Sequence, residues 1–265
     1  MKIKSIAIGS FDGVHLAHQE LIKRVDGVVI IEKNHATLTP GWKRTLFINK
    51  ACFFYHIDKI KPLTPQEFIA KLQNDFPHLE KIVVGYDFEF GKNRAGNART
   101  IKEYFNGTVE IVSEIKLNNI SIHSRVIREL IVQNSISLAN KMLNRLYKID
   151  GKHIKGLGLG GKELVATINL QVQNYTLPNG IFSSYTTINQ KRYRSICFVG
   201  HRESVDNSHT IEVHILEEFN DTTNSQIYVE FVEFIRNSKK FDSLKALKSQ
   251  IMQDIKLAKK QLTIN

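Results

Sequence analysis

Hydrophobic and polar positions follow two different patterns in the two halves of the chain. In the first half, short β-branched runs alternate with segments of helical periodicity, beginning with a run at residues 3–8 and a helical segment at residues 19–25. This alternation predicts a parallel sheet wrapped by helices. The further strands predicted in this half are residues 28–31, 81–85 and 109–112.

Helices are predicted between these strands from periodicity and from residues typical of helix starts. Thr64 as N-cap, Pro65 at the first helical position and Glu67 at the third predict a helix that continues to about residue 72. The other helices predicted in this half are residues 46–54, 124–130 and 137–143.

The pattern changes after about residue 147, where glycines cluster and short alternating strands follow. These strands predict a small β-barrel. They are residues 164–172, 193–199, 210–216 and 226–234. A final helix over residues 243–261 is predicted from its apolar spacing. We therefore expect one domain of residues 1–143 and a second of residues 144–265.

Composition narrows the class of protein and of ligand. The chain has 265 residues, 42% of them hydrophobic, which suffices for two cores. No run is as long as a membrane span, and no signal peptide pattern is visible. Cys52 and Cys197 lie in apolar contexts, so we expect buried thiols and a cytoplasmic protein.

The formal net charge of +11 favours polyanionic ligands. Because the positive residues are spread along the chain, ATP or another phosphorylated small molecule is a better match than nucleic acid. We therefore expect small-molecule substrates and neither a nucleic-acid nor a membrane partner. The oligomeric state is left open.

A pair of histidines at the first strand-to-helix turn is the main candidate for chemistry. Residues 9–19 read Gly-Ser-Phe-Asp-Gly-Val-His-Leu-Ala-His-Gln, so His15 and His18 can face the same side of a first helical turn. Such turns bind phosphates, and two imidazoles can donate hydrogen bonds as charge shifts during a reaction. The alternatives are ordinary core or surface histidines and a metal pair, although further zinc ligands at a recognisable spacing are missing.

The same motif resembles the opening of the bacterial bifunctional riboflavin kinase/FAD synthetases, and the resemblance extends over nearly the whole chain. It implies an α/β Rossmann-like nucleotidyltransferase domain of the His-x-Gly-His superfamily, followed by an all-β six-stranded barrel with a C-terminal helix. It also implies that His15 and His18 are catalytic. Ala17 stands where the family has glycine. The ATP-binding residues implied in this motif are Gly9, Phe11 and Asp12.

A second block, residues 83–97, is similar to the family's strand followed by Gly-x-Asp-Phe-x-Phe-Gly. Its glycines and aromatic residues are typical of a loop that closes over a flat ring. Ordinary core packing is the alternative for the two phenylalanines. The residues that the resemblance implies in flavin or nucleotide binding are Asp87, Phe88, Phe90 and Asn97.

The third block, residues 123–128, matches the family's Ser-Ser-Thr-x-Ile-Arg at Ser124 and Arg128, which would bind the β- and γ-phosphates of ATP. His123 and Arg125 replace hydroxyl residues, and basic side chains also suit a triphosphate. A solvated helix start is the alternative. Where the family has Pro-His-Pro, this chain has the diverged sequence Glu-Lys-Asn-His at residues 32–35.

The second half resembles flavokinases. Residues 177–182 look like the family's hairpin, and Glu212 matches its catalytic base, which would deprotonate the ribityl 5′-hydroxyl. A surface cross-strand carboxylate is the alternative for Glu212. Thr167 and Asn169 match the family's Mg²⁺ and phosphate ligands, and we expect them on one face of a strand. The residues that depart from the family here are Ala166, Ile168 and Phe198.

The resemblance implies FAD biosynthesis in two ATP-dependent steps that require Mg²⁺. Riboflavin is phosphorylated to FMN in the second domain, and FMN is adenylylated to FAD in the first. Three alternatives remain open. The barrel could bind flavin without catalysis, the first domain could act on a different phosphorylated substrate, or the chain could be a flavin- or nucleotide-binding regulator.

Overall fold

The structure is a computed structural model that describes residues 2–33, 36–154, 166–201, 209–219 and 226–262. It consists of two compact units, Met1–Val126 and Ile127–Asn265. The first is α/β and the second contains a closed six-stranded barrel, so the predicted fold class is confirmed. The predicted domain boundary at residues 143/144 stays a prediction. Residues 34–35 of the diverged sequence and residues 164–165 of a predicted strand lie outside the described residues.

The first unit is built around a five-stranded parallel sheet in the order β3-β2-β1-β4-β7. Its elements are β1 (Ser5–Gly9), α1 (Leu16–Ile22), β2 (Gly27–Glu32), β3 (Ala51–His56), α2 (Ile57–Ile60), α3 (Pro65–Asp75), β4 (Lys81–Gly85), β5 (Glu89–Phe90), β6 (Gly96–Asn97), α4 (Ile101–Tyr104), β7 (Thr108–Val112), β8 (Lys116–Leu117) and β9 (Ile120–Ser121). Two 3₁₀ helices span Gly41–Phe47 and Lys92–Arg94. The strand order reverses between β1 and β4, and a crevice for ligands is expected there at the carboxyl ends of the strands.

Both faces of this sheet are covered. Ile6 and Ile8 of β1 pack with Phe68 of α3 in one buried cluster. Ala7, which points to the other face, packs with Leu21 of α1 in a second cluster. This alternation along β1 places helices on both sides of the sheet, as a doubly wound fold requires.

The start of α3 is confirmed and the helix predicted at residues 46–54 is wrong. The Thr64 hydroxyl accepts a hydrogen bond from the Glu67 backbone N–H at 3.2 Å, and the Glu67 carboxylate accepts one from the Thr64 N–H at 2.7 Å. In contrast, residues 46–54 divide between the end of a 3₁₀ helix and β3. Parallel pairing with β2, and the aromatic residues Phe53 and Phe54, favour the strand.

The second unit carries the barrel, with strands in the order β10-β11-β14-β13-β12-β15. The remaining elements of the chain are α5 (Ser124–Val132), α6 (Ile136–Leu143), β10 (Tyr147–Ile154), β11 (Ile168–Gln171), β12 (Gly180–Ile188), β13 (Lys191–His201), β14 (His209–Ile215), β15 (Gln226–Arg236) and α7 (Leu244–Gln261). The predicted helix at residues 243–261 is confirmed, with the Ser243 hydroxyl accepting from the Ala246 N–H at 3.2 Å.

Polar contacts fix two helices of this unit to the barrel. Arg236 of β15 binds Asp254 of α7 through two guanidinium nitrogens, at 3.0 and 2.7 Å. The Asn140 amide of α6 donates to the Phe231 carbonyl oxygen at 2.9 Å and accepts from the Tyr147 N–H at 2.7 Å. Over the described ranges, no helix combines the length and the apolar character that crossing a membrane would require.

Candidate active sites

A cavity of about 410 Å³ lies in the first unit, where β1, β4 and β7 end. This is the position expected for ligands in such a sheet. Seven of the residues predicted from the sequence line it, so the fold brings together motifs that are far apart in the chain. They are Gly9, Phe11, His15, His18, Asp87, Phe88 and Ser124.

The two histidines of the first motif are stacked. Their ring centroids are 3.6 Å apart, with 17° between the ring planes, and Phe11 contacts the His18 ring edge-on at 5.1 Å. His15 is the N-cap of α1, since its Nδ1 accepts from the His18 backbone N–H at 3.4 Å. A neutral His15 ring therefore carries its proton on Nε2, which is then its donor.

The loop before these histidines has an unusual backbone. Phe11, Gly13 and Val14 have φ values of +51°, +85° and +41°. Glycine adopts positive φ without strain, but a β-branched residue such as Val14 rarely does. Each strained residue costs about 1–3 kcal/mol, and such residues cluster at functional sites where the surrounding structure holds them in place.

Asp12 provides part of that support. Its carboxylate is buried and accepts from the backbone N–H groups of Leu38 at 2.9 Å, Thr39 at 3.0 Å and Thr37 at 3.2 Å. The Gly13 N–H donates to the Thr39 hydroxyl at 2.8 Å. The resemblance implied that Asp12 binds ATP, but this geometry favours a role in positioning the loop.

Arg44 is a residue that the sequence reasoning missed. It is fully buried, and its guanidinium donates to the carbonyl oxygens of Ser10 at 2.7 Å and Gly41 at 3.0 Å and pairs with the Glu32 carboxylate. Burial lowers the pKa of Arg44, whereas the carboxylates of Glu32 and Asp12 raise it. An arginine stays charged in proteins, so Arg44 fixes the loop at Ser10. No local sequence signal marks this contact.

The start of α5 joins the same cavity. The Ser124 hydroxyl donates to the Asp12 carbonyl oxygen at 2.7 Å, which links α5 to the histidine loop. Arg125 also lines the cavity, in keeping with its expected affinity for phosphate. Arg128 lies one turn further along α5, and its contact with the triphosphate stays a prediction.

In the second block, residues 83–97, one phenylalanine lines the cavity and the other belongs to the core. Phe88 lines the cavity and stacks at 5.6 Å on Phe90, which is only 6% exposed and belongs to the core. A Cβ on Gly96 would stand 2.7 Å from the Phe90 ring, so this position requires glycine. The Asn97 side-chain oxygen accepts from the Arg99 N–H at 2.9 Å and closes a local turn. Asn97 is not among the cavity residues, so its substrate contact stays a prediction.

In the barrel, the predicted base and one predicted metal ligand are direct neighbours. Asn169 of β11 is paired with Glu212 of β14, and Glu212 is in turn paired with Phe198 of β13. This row lies on the face opposite the buried Leu170 and Val213. Side chains of directly paired residues are separated by about 5 Å at Cβ, so Asn169 and Glu212 can act on one ligand.

Thr167 lies one residue before the first residue of β11, Ile168. Its position on the same face as Asn169 stays a prediction. The adjacent Ala166 carbonyl oxygen is 2.8 Å from Nδ1 of His214, which ties this end of the segment to β14. The contact of Thr167 with a metal ion stays a prediction.

The two cysteines differ in burial. Cys197 is buried, and burial raises the pKa of its thiol, with a further contribution from Glu212. Cys52 is half-buried, and burial raises its pKa too. The buried thiol is thus confirmed for Cys197. Among the described residues, no three His, Cys, Asp or Glu side chains converge as a metal centre.

A doubly wound sheet with paired histidines at its switch point, followed by a six-stranded barrel with a carboxylate–amide row, defines a two-part class: a nucleotidyltransferase joined to a flavokinase barrel. Two family models match accordingly, FAD synthetase over residues 44–126 and riboflavin kinase over residues 143–262. The chain belongs to the family of bacterial bifunctional riboflavin kinase/FAD synthetases.

Individual relatives agree over nearly their whole length. A bifunctional riboflavin kinase/FMN adenylyltransferase of Buchnera aphidicola is 28% identical, with 98% of this chain and 94% of the relative aligned. One from Mycoplasma pneumoniae is 25% identical, with 97% of each chain aligned. A crystal structure named as a macrolide-efflux protein from Streptococcus pneumoniae superposes with a TM-score of 0.88 at 23% identity, over 98% of this chain and 95% of that one. That likeness supports the fold.

Proposed function

We propose that this chain makes FAD from riboflavin in two ATP-dependent steps, phosphorylation in the second unit and adenylylation in the first. The observation that carries the proposal is the stacked pair His15–His18 in the cavity at the switch point of the sheet. Both halves of the chain match the corresponding family models. The functional domains are residues 1–143 and 144–265, and the protein is a cytoplasmic enzyme.

In the first unit, a phosphate oxygen of FMN forms a bond to the α-phosphorus of ATP. The bond from that phosphorus to the bridging oxygen breaks, and pyrophosphate leaves with the electron pair. His15 and His18 donate hydrogen bonds to the charge that develops at the α-phosphate. Ser124 and Arg128 bind the β- and γ-phosphates. No protein nucleophile is needed, because the FMN phosphate is itself anionic.

The loop is organised before the substrates arrive. Asp12 and Arg44 hold the strained backbone of residues 10–14 through buried hydrogen bonds. Little free energy is therefore needed to reorient the histidine rings during the reaction. Such preorganisation lowers the activation barrier.

In the second unit, Glu212 accepts the proton of the ribityl 5′-hydroxyl as its oxygen attacks the γ-phosphorus of ATP, and ADP leaves. Asn169 and Thr167 offer an amide and a hydroxyl oxygen, the donor types that suit Mg²⁺, and would hold this ion. When bound, Mg²⁺ supplies positive charge that neutralises the phosphates. The register of β11 and β14 keeps Asn169 beside Glu212.

The test follows flavins by chromatography after the purified chain is mixed with ATP, Mg²⁺ and either riboflavin or FMN. We expect FAD from both substrates. His18→Ala should lower FAD formation by about a hundredfold or more and spare riboflavin phosphorylation, and Glu212→Ala should do the reverse. The matched controls are His78→Ala and Glu217→Ala, since both side chains are exposed.

Each outcome separates the alternatives. FAD from FMN without FMN from riboflavin would leave an adenylyltransferase with a barrel that only binds flavin. Neither product, with flavin still bound, would indicate a regulator. If both substitutions lowered both activities equally, the assignment of two separate sites would be wrong.

A further inference from the structure

Tyr86 differs from the other aromatic residues of its loop because its ring is exposed. It follows Gly85 at the end of β4, lines the cavity and is 46% exposed. In the same loop, Phe90 belongs to the core and Phe88 packs against it. An exposed aromatic ring at the wall of a cavity is available to contact a ligand that enters it.

The hydroxyl of Tyr86 is held although its ring is open. Its oxygen lies 3.2 Å from Nε2 of His123 and 3.5 Å from a carboxylate oxygen of Glu114. The other nitrogen of His123, Nδ1, lies 3.8 Å from the Asp87 carboxylate. Residues from the ends of β4 and β7 and from the segment before α5 therefore converge on one phenol.

The groups around this phenol favour a hydroxyl that donates. Burial and the carboxylates of Asp87 and Glu114 raise the pKa of Tyr86. Hydrogen bonds from the Ser121 hydroxyl and from Lys116 lower the pKa of Glu114. Near neutral pH, a protonated phenol thus faces an ionised acceptor, and the direction of the ring is fixed.

A ring with a fixed edge and an open face is suited to stacking on a flat ligand. Stacking on a preoriented side chain loses little conformational entropy on binding. We propose that Tyr86 is the aromatic contact for a flat heterocyclic ring of the substrates and that His123 orients it. This inference rests on the proposed adenylylation of FMN in this cavity. The ring is the isoalloxazine of FMN or the adenine of ATP, which share this chemistry.

The experiment measures kcat and the KM values for FMN and ATP in FAD formation by the full-length protein. Tyr86→Leu should raise one of the two KM values about tenfold, the usual order for losing a stacked ring, and change kcat by less than about twofold. Tyr86→Phe removes both contacts of the hydroxyl, and His123→Ser removes the contact with His123; both variants keep the ring. Tyr86→Phe should raise the same KM by about threefold and His123→Ser by no more than that, and the double variant should be no worse than Tyr86→Phe.

Two controls show that an effect is local. Tyr104→Leu removes a tyrosine of the same unit that is 37% exposed and is not a cavity residue, so both KM values should stay unchanged. Riboflavin phosphorylation by the barrel should also be the same in all variants.

A rise in the KM for FMN identifies the flavin ring as the ligand of Tyr86, and a rise in the KM for ATP identifies adenine. Unchanged KM values in Tyr86→Leu, or a fall in kcat with a rise in both KM values, would overturn the inference. If the wild-type protein made no FAD from FMN, the proposed function would fail instead. Wild-type FAD formation with an unaffected Tyr86→Leu variant would refute the role of Tyr86 alone.

Discussion

Replacing Arg44 with methionine should destabilise the first unit and slow FAD formation. Arg44 is fully buried, where its guanidinium binds the carbonyl oxygens of Ser10 and Gly41 and pairs with Glu32. Methionine fills a similar space but leaves two carbonyl oxygens and a carboxylate without their donor. The loss should therefore exceed that of an exposed ion pair.

The magnitude follows from the burial of the two partners. Breaking a buried ion pair by removing one member costs about 3–5 kcal/mol. The Glu32 side chain is 18% exposed, so water can reach its carboxylate. We therefore expect a loss at the lower end of this range, about 3 kcal/mol in the free energy of unfolding, or roughly a hundredfold in the folding equilibrium. Arg44→Lys keeps the charge but not the planar fork of donors, so its loss should be smaller.

Urea unfolding can be followed in each unit separately. FAD formation from FMN, scaled in each variant to its value without urea, reports on the first unit; the single tryptophan, Trp42, is 63% exposed and suits this purpose less well. Riboflavin phosphorylation reports on the second unit. Lys4→Met is the matched control, because the ion pair of Lys4 with Glu80 is exposed and should contribute little.

The reasoning is refuted if Arg44→Met unfolds at the same urea concentration as the wild type, or shifts no more than Lys4→Met. Equal loss of riboflavin phosphorylation would contradict the assignment of Arg44 to the first unit alone. A lower kcat for FAD formation in folded Arg44→Met would support the role of Arg44 in holding Ser10.

Two further expectations concern the same unit. Ala17 lines the cavity where the family has glycine, so Ala17→Gly should lower the KM for ATP, at a helix-propensity loss of about 1 kcal/mol in urea unfolding. The pKa of Glu110 is lowered by hydrogen bonds, first from Lys81 and then from Arg24. Its stabilisation is therefore complete above an ordinary glutamate pKa of about 4.3 and is lost as the pH falls. Glu110→Gln should weaken the acid dependence of thermal unfolding, and an unchanged acid limb would contradict this.

Local signals explain which elements could be predicted from the sequence. The start of α3 depends on Thr64 and Glu67, three residues apart, and was predicted correctly. β3 was not, because its conformation is decided by pairing with β2. Gly151 lies within β10, where a Cβ would stand 2.9 Å from the Gln171 carbonyl oxygen. The barrel requires glycine there, and only the paired strand shows why.

The candidate sites divide in the same way. His15 and His18 are three residues apart, so the sequence predicts that they can face the same side of the turn, and the structure adds that their rings are stacked. Arg44 reaches Ser10 across 34 residues and Tyr86 reaches His123 across 37. Such contacts form only when the folded sheet brings its strand ends together. The hydrophobic periodicity of the sequence therefore does not predict them.

The pairing of Asn169 with Glu212 has a consequence for how this family can diverge. Their spacing is dictated by the main-chain ladder between β11 and β14, which any residue compatible with a strand maintains. Replacement of the surrounding motif, as at Ala166 and Ile168, thus leaves the two polar groups side by side. In a closed barrel, backbone pairing keeps the two polar side chains adjacent, and the residues beside them can therefore be replaced.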